Sequence, residues 1–220
     1  LASKYEPALI VTPPSQSPSP ADSLQIPHQW LEDEVWLNLT SPLKHQLSSE
    51  AVSTIDQSMK LQAVNALRWD GQGWWCAGVD GLGVVSVAQY HGVNVRLGAL
   101  LGLRGGGGAA RSTAEAWLKA GGQIRLFEGK RALELPFDFE EDTSERPLDF
   151  ALDFEDDSDS PPSFDSCPLQ LKPRYNSVEG DYAHRVQLME TSPFDGRWML
   201  AAQHLEAWRL LWAPQYANYL

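Results

Sequence analysis

Short apolar runs divided by Pro, Ser, Asn and Gly mark the first ninety residues. YEPALIVT (5–12) reads as a strand, and PPSQSPSPADS (13–23) as a Pro/Ser loop. VWLNL (35–39) reads as a second short strand, and SPLKHQLSSEAVSTIDQS (41–58) as a helix after a turn. VNALRWDGQGWWCAGVDG reads as two strands joined at Asp70–Gly71, and GLGVVSVAQYHG (81–92) as a helix. A second unit begins near Val93. VRLGALLGL (95–103) is apolar throughout, as a strand buried on both faces is. RGGGGAARSTAEAWLKAGG then reads as a glycine turn, a helix and a stop at Gly121–Gly122. QIRLFE (123–128) is a second buried strand, which completes a βαβ opening. PLQLKPRYN (168–176) reads as a last strand. DGRWMLAAQHLEAWRLLW (195–212) reads as a helix with Met199, Ala202, Leu205, Trp208 and Trp212 on or near an apolar face.

The glycine turn carries chemistry. Gly105, Gly106, Gly107, Gly108, Ala109 and Ala110 fit the pattern G-x-G-x-x-[GA] between a strand and a helix. Gly105 permits a tight turn, Gly107 lets the backbone approach a pyrophosphate, and Ala110 is small enough for the helix to pack on its strand. The free N–H groups and positive dipole end of that helix then face the phosphates. Glu128 ends the next strand, where an acid suits the ribose hydroxyls of NAD. Lys130 and Arg131 follow at once and suit the 2′-phosphate of NADP. The two cofactors stay open at this point.

Charge separates one segment from the rest. Residues 132–166 hold thirteen Asp/Glu against Arg146, an excess that equals the whole net charge of −12. With scattered Pro and Ser, the stretch from Arg131 to Ser166 reads as loop-like or partly disordered. The remainder is neutral and offers no basic face, which argues against nucleic-acid binding. No apolar run reaches the length of a membrane span. Cys76 and Cys167 form no CxxC, and the opening residues are not a secretory leader, so a reducing, cytoplasmic setting is expected. Neither the cysteines nor the five histidines show a metal-ligand spacing. A start at Leu1 suggests a fragment or a processed chain.

Five motifs then resemble one family. LNLTSPLKH (37–45) resembles the NVTxPxK motif of shikimate dehydrogenases. QAVNALRWDGQGWWCAGVDGLG (62–83) is similar to their GAVNT…GxNTDGxG stretch, and GGGGAARS (105–112) to their GAGGAAR turn. LKPRYNS (171–177) is similar to their YNP motif, and DGRWMLAAQHLEAW (195–208) to their DGxxMLxxQ…AF helix. The motifs come in the family's order over almost the whole chain. The resemblance implies an α/β protein with a substrate domain over residues 1–84 and a Rossmann-like NADP-binding domain over 85–195. A final helix, 196–220, would return to the first domain. It implies reversible reduction of 3-dehydroshikimate to shikimate, with NADP as cofactor and NAD as the alternative. Lys44 and Asp80 match the catalytic pair and would face the nicotinamide in the cleft. Thr40, Asn65, Tyr175 and Gln203 match positions that line the substrate pocket. Gly105 to Ala109, Lys130 and Arg131 are the expected cofactor contacts. Lys–Asp chemistry fits, because the reduced carbonyl oxygen needs a proton and a partner for its growing charge. Asn and Gln suit a polyol, since each both donates and accepts.

The chain departs from the pattern in three places. The family's first strand and helix, with an SxSP motif whose serines bind the substrate carboxylate, have no counterpart, so the front of the domain is expected to be absent. Glu128-Gly129-Lys130-Arg131 replaces an Asn-Arg-Thr run. The later strand of the cofactor domain and its small-residue turn are expected to be replaced by the acidic segment. A second reading is therefore a binding or scaffold protein of the same fold that has lost catalysis. A third is a related enzyme using quinate or NAD.

Overall fold

The computed structural model describes residues 35–40, 43–45, 52–155, 164, 167–173 and 195–212. The expected strand over 5–12, the Pro/Ser loop and Tyr175 lie outside the described residues. The chain divides into two compact units, one up to Val79 and again from Ala207, the other from Asp80 to Glu206.

The first unit is built on a four-stranded sheet in the order β1-β3-β4-β2. Its strands are β1 (Val35–Asn38), β2 (Val52–Thr54), β3 (Ala66–Trp69) and β4 (Trp74–Ala77). Period-two burial decides which side chains enter the core: Val35 and Leu37 from β1, and Trp74 and Cys76 from β4, meet Leu39, Val64 and Leu67. The β3–β4 hairpin turns at Asp70–Gly71, as the sequence implies. Asp70 Oδ1 accepts from the N–H groups of Gln72 and Gly73 at 2.9 and 2.8 Å, and Gly71 supplies the positive φ of 88°. Those two N–H groups are the main cause that holds the Asp70 carboxyl below its ordinary pKa.

The helix expected over 41–58 is not what forms. Leu43–His45 make a single 3-10 turn, and Val52–Thr54 pair in parallel with Trp74–Cys76. Two β-branched residues, Val52 and Thr54, favour the strand, and a long-range ladder satisfies its backbone. Asp56 then ties the next turn down, accepting from Ser58 N–H at 2.9 Å and Gly78 N–H at 2.8 Å.

The second unit holds an all-parallel sheet in the order β6-β5-β7-β8. Here β5 is Leu100–Arg104, β6 Gln123–Phe127, β7 Phe150–Asp153 and β8 Gln170–Leu171. All five residues of β5 are buried. The strand starts later than the apolar run does, because Val95–Leu97 form a 3-10 turn closed by Gly98 at φ 81°. Helix α1 (Asp80–Tyr90) and helix α2 (Gly108–Lys119) pack closely, and α2 stops at Gly121 with φ 95°. A Cβ on Gly81 would lie 2.0 Å from the Ser112 carbonyl oxygen, so only glycine permits this approach. Gly81 N–H also donates to Ser112 Oγ at 3.0 Å. Trp117 of α2 stacks on Phe150 with centroids 5.8 Å apart and donates its indole N–H to the Ala99 carbonyl.

The acidic segment contains a buried strand, which corrects the loop reading. Phe150, Ala151 and Leu152 are fully buried beside β5. An apolar triplet is enough for a strand covered on both faces, and the flanking acids hide it in any averaged pattern. Some of the acids are tied locally. Asp149 Oδ2 accepts from Leu100 N–H at 2.7 Å, and Asp142 pairs with Arg146 at 3.0 Å and Arg125 at 3.5 Å.

Helix α3 (Gly196–Ala207) continues as a π-turn, Trp208–Trp212. Its inward stripe differs from the expected one. Leu205 is 58 % and Trp208 37 % exposed, while Met199, Ala207 and Leu211 are buried. With Gln203 these form an i, i+4 series. Within the first unit the Arg68 guanidinium donates to the Leu211 carbonyl, whereas Gly196–Glu206 of α3 belong to the second unit. Among the described residues no helix is long and apolar enough to cross a membrane.

Gly81→Ala is expected to cost about 1–3 kcal/mol through overpacking of α1 on α2. Gly73→Ala, with nothing within 4 Å of its Cβ, should change stability by less than about 0.5 kcal/mol. Urea unfolding midpoints of the two variants check the contrast.

Candidate functional site

In the first unit, three of the residues singled out from the sequence gather where β1 ends. Leu39 N–H donates to the Asn65 carbonyl at 2.8 Å, and Leu43 N–H to the Thr40 carbonyl at 2.8 Å. The second bond closes the turn that carries Lys44, which is half-buried, whereas Thr40 is exposed. Asn65 is 2 % exposed. Its Oδ1 accepts from Val79 N–H at 2.7 Å, which holds the amide in one orientation. A buried amide with an assigned partner is held rigidly rather than solvated at the surface.

In the second unit, Asp80 is the first residue of α1 and 1 % exposed. A carboxylate at a helix start gains from the N-terminal dipole. Gln203 lies one turn away from it. A Cβ on Gly83 would lie 2.9 Å from Gln203 N and 3.0 Å from its Cβ, so α3 crosses α1 at that glycine. Gln203 therefore stands on the inward stripe, half-buried, and not on a water-facing boundary. Ser86 Oγ donates to Glu206 Oε1 at 2.8 Å one turn further along the same contact.

The glycine turn joins β5 to α2. Gly105 has φ 115°, and Gly107 caps α2 with no side-chain hydrogen bond at the cap. Space in front of Gly107 is open; the nearest atom to a Cβ there would be an Arg131 guanidinium nitrogen at 3.9 Å. Arg111 Nη1 donates to the Gly106 carbonyl at 2.8 Å. Burial first, and the Arg131 charge second, push the Arg111 pKa below its ordinary value. Two guanidiniums thus flank a helix start whose dipole favours anions.

Strand order adds a second reason to look here. β6 pairs on one side of β5 and β7 on the other. The carboxyl ends of β5 and β7 therefore bracket the switch point of the sheet, where α/β folds bind ligands. A cavity of about 260 Å³ opens beside it, lined by Leu103, Gly105, Glu128, Gly129, Arg131 and Ala132.

That switch point also holds groups the sequence did not single out. Arg104 ends β5 and is 5 % exposed. Its Nε donates to the Glu128 carbonyl at 2.9 Å, and its Nη1 pairs with Asp153 at 3.2 Å. Phe154 and Glu155 follow β7 in place of the small-residue turn, as the departure from the family pattern implied, and Phe154 Cβ would lie 3.1 Å from a Cβ on Gly105. The Ala132 carbonyl would lie 2.1 Å from a Cβ on Gly106. The motif GAGGAAR has Ala at that place; here Gly makes room for the loop after β6. The signal was legible as Asp-Phe repeated at 149–150 and 153–154, once the second pair is known to end a strand. The Lys130 and Arg131 side chains stand at the surface of that loop.

No family model matches the chain. A curated NADP-dependent shikimate dehydrogenase of Methylibium petroleiphilum is 35 % identical over 86 residues, 39 % of this chain and 29 % of the relative. One of Xanthomonas oryzae pv. oryzae is 42 % identical over 86 residues, 38 % of this chain and 30 % of the relative. The chain thus spans about a third of the length of these relatives. Among solved structures, a shikimate 5-dehydrogenase of Thermus thermophilus in complex with NADP(H) and shikimate matches with a TM-score of 0.53. That match has 22 % identity and covers 87 % of this chain and 78 % of the other. The motif resemblance to shikimate dehydrogenases is borne out, and so is the α/β, Rossmann-like fold.

Gly106→Ala is expected to displace the loop at Ala132 and to lower stability by about 1–3 kcal/mol. Gly107→Ala should cost under about 1 kcal/mol, since its site is open and only the cap is weakened. Hydrogen exchange at Ala132 and Leu133, with urea unfolding, separates the two.

Proposed function

We propose that the chain acts as an NADP-dependent shikimate dehydrogenase, which reduces 3-dehydroshikimate to shikimate reversibly. The observation that carries this is the open glycine N-cap, Gly107, at the start of α2, at the sheet's switch point and between two arginines. That is the chemistry of a diphosphate site. The names of the partial relatives supply the substrate and the choice of NADP, and the similar Thermus structure holds NADP(H) and shikimate.

In this reading the residues of the glycine turn fit the cofactor's diphosphate, with Gly107 giving close approach and Gly108 and Ala109 opening the helix. Lys130 and Arg131 supply positive charge for the adenosine 2′-phosphate. The bound cofactor supplies the hydride. Lys44 donates a hydrogen bond from Nζ, and then its proton, to the substrate oxygen on which negative charge grows. Asp80 is the acid that the motif resemblance pairs with Lys44 in this step. Thr40, Asn65, Tyr175 and Gln203 carry donors and acceptors of the kind that suit the substrate's hydroxyls and carboxylate.

A second reading is a binding protein of the same fold without turnover. Phe154, Glu155 and the Ala132 carbonyl favour it, because they crowd Gly105 and Gly106.

Absorbance of reduced cofactor separates the readings when the full chain is mixed with shikimate or quinate and either NADP⁺ or NAD⁺. Turnover with shikimate and NADP⁺ supports the first. Binding of NADPH with no turnover under any pairing supports the second. Lys44→Ala is expected to lower kcat by about 10²–10⁴-fold while NADPH affinity stays within about twofold, and retained kcat removes Lys44 from the mechanism. Gly107→Val should abolish NADPH binding by placing branched carbon where the diphosphate approaches; unchanged affinity sinks the diphosphate site.

A further inference from the structure

Glu155 lies two residues beyond β7, and its side chain is 11 % exposed. Its Oε2 accepts from Lys130 N–H at 2.7 Å, and its Oε1 from Arg131 N–H at 3.2 Å. The Arg104 guanidinium stands 3.9 Å from Oε2. The carboxylate also covers Gly129, where a Cβ would lie 2.8 to 2.9 Å from its atoms. Glycine at 129 is thus what leaves room for it. Successive main-chain N–H groups that converge on one anion form an anion-binding nest. This nest lies in the loop just past β6 and borders the cavity next to Gly105 and Glu128. In a dinucleotide fold the adenosine ribose is read at that place, and a 2′-phosphate is received by basic groups there.

We propose that Glu155 is a built-in anion that occupies the nest for the cofactor's adenosine 2′-phosphate and has to leave it before NADP binds. The inference rests on the dinucleotide reading above. Two facts make the carboxylate a competitor rather than a neighbour. It uses the N–H donors of Lys130 and Arg131 that would serve the phosphate, and a phosphate carrying nearly two charges repels it at this range. A nucleotide without a 2′-phosphate makes no claim on those donors, so Glu155 affects it far less. The resting protein therefore holds its selectivity for NADP in check, and the affinity ratio between NADP and NAD depends on one side chain.

The test is isothermal titration of the full chain with adenosine 2′,5′-bisphosphate and with 5′-AMP, for wild type, Glu155→Ala and Glu155→Gln. Both probes lack nicotinamide, so the readout is independent of turnover. Glu155→Ala is expected to tighten the bisphosphate at least fivefold and 5′-AMP less than twofold. Glu155→Gln keeps the hydrogen-bond acceptor but loses the charge and should give an intermediate gain of at least twofold in the ratio. If circular dichroism shows Glu155→Ala unfolded, Glu155→Gln alone decides. An unchanged ratio, an equal gain for both probes, or a loss for the bisphosphate overturns the role of Glu155 and leaves the dinucleotide site standing. No binding of either probe, or of NADPH, by any of the three proteins overturns both together.

Discussion

A buried guanidinium governs the carboxyl end of the second unit's sheet. Arg104 is 5 % exposed at the last position of a strand buried along its whole length. A charge in that place has to be paired and hydrogen-bonded, or it costs several kcal/mol, on the order of 3–5 when a partner is removed. Its partners come from both neighbouring strands: the Glu128 carbonyl just past β6, and Asp153 and Glu155 at the end of β7. One side chain thus stitches together three strand ends. It also dictates which residues follow β7. Where small residues would leave the switch point open, acids are held instead, and Phe154 comes with them against Gly105.

Close helix contacts set the other half of that unit. Gly81 and Gly83 bring α1 against Ser112 and Gln203. Backbone approach of this kind leaves no tolerance for a side chain, so the first turn of α1 is positioned by sterics rather than by side-chain hydrogen bonds alone. Asp80 begins that turn, and Gln203 meets the same helix at Gly83. Two residues singled out from motifs far apart in the chain, an acid that opens α1 and a glutamine on α3, thus belong to one pair of packed helices that meet at Gly83.

The acidic segment is less a charged tail than a strand with anions at its flanks. Asp142 and Asp153 pair with Arg125, Arg146 and Arg104, and Asp149 and Glu155 cap main-chain N–H groups at Leu100, Lys130 and Arg131. Each such contact offsets the cost of bringing a carboxylate near an apolar sheet. The excess of acids over bases in the sequence therefore overstates the free negative field that a phosphate would meet among residues 132–155. Glu155 is already seated there on the Lys130 and Arg131 N–H groups.

Features made by neighbouring residues were legible in the sequence alone. The hairpin at Asp70–Gly71, the helix after the glycine turn and its stop at Gly121 each depend on backbone preferences within a few residues. The motif residues Lys44, Asn65, Asp80 and Gln203 were readable in the same way, because residue type and order carry the chemistry they suit. Tertiary structure decided the rest. Val52–Thr54 became a strand only because β4 offered a parallel partner, and Phe150–Asp153 only because β5 had an unpaired edge. Pairing at long range outweighs local propensity when it satisfies a whole row of backbone groups. By the same logic no pattern along the chain could place Glu155 on the N–H groups of residues some 25 positions earlier. That contact exists because a sheet order and a buried arginine bring the two loops to one spot.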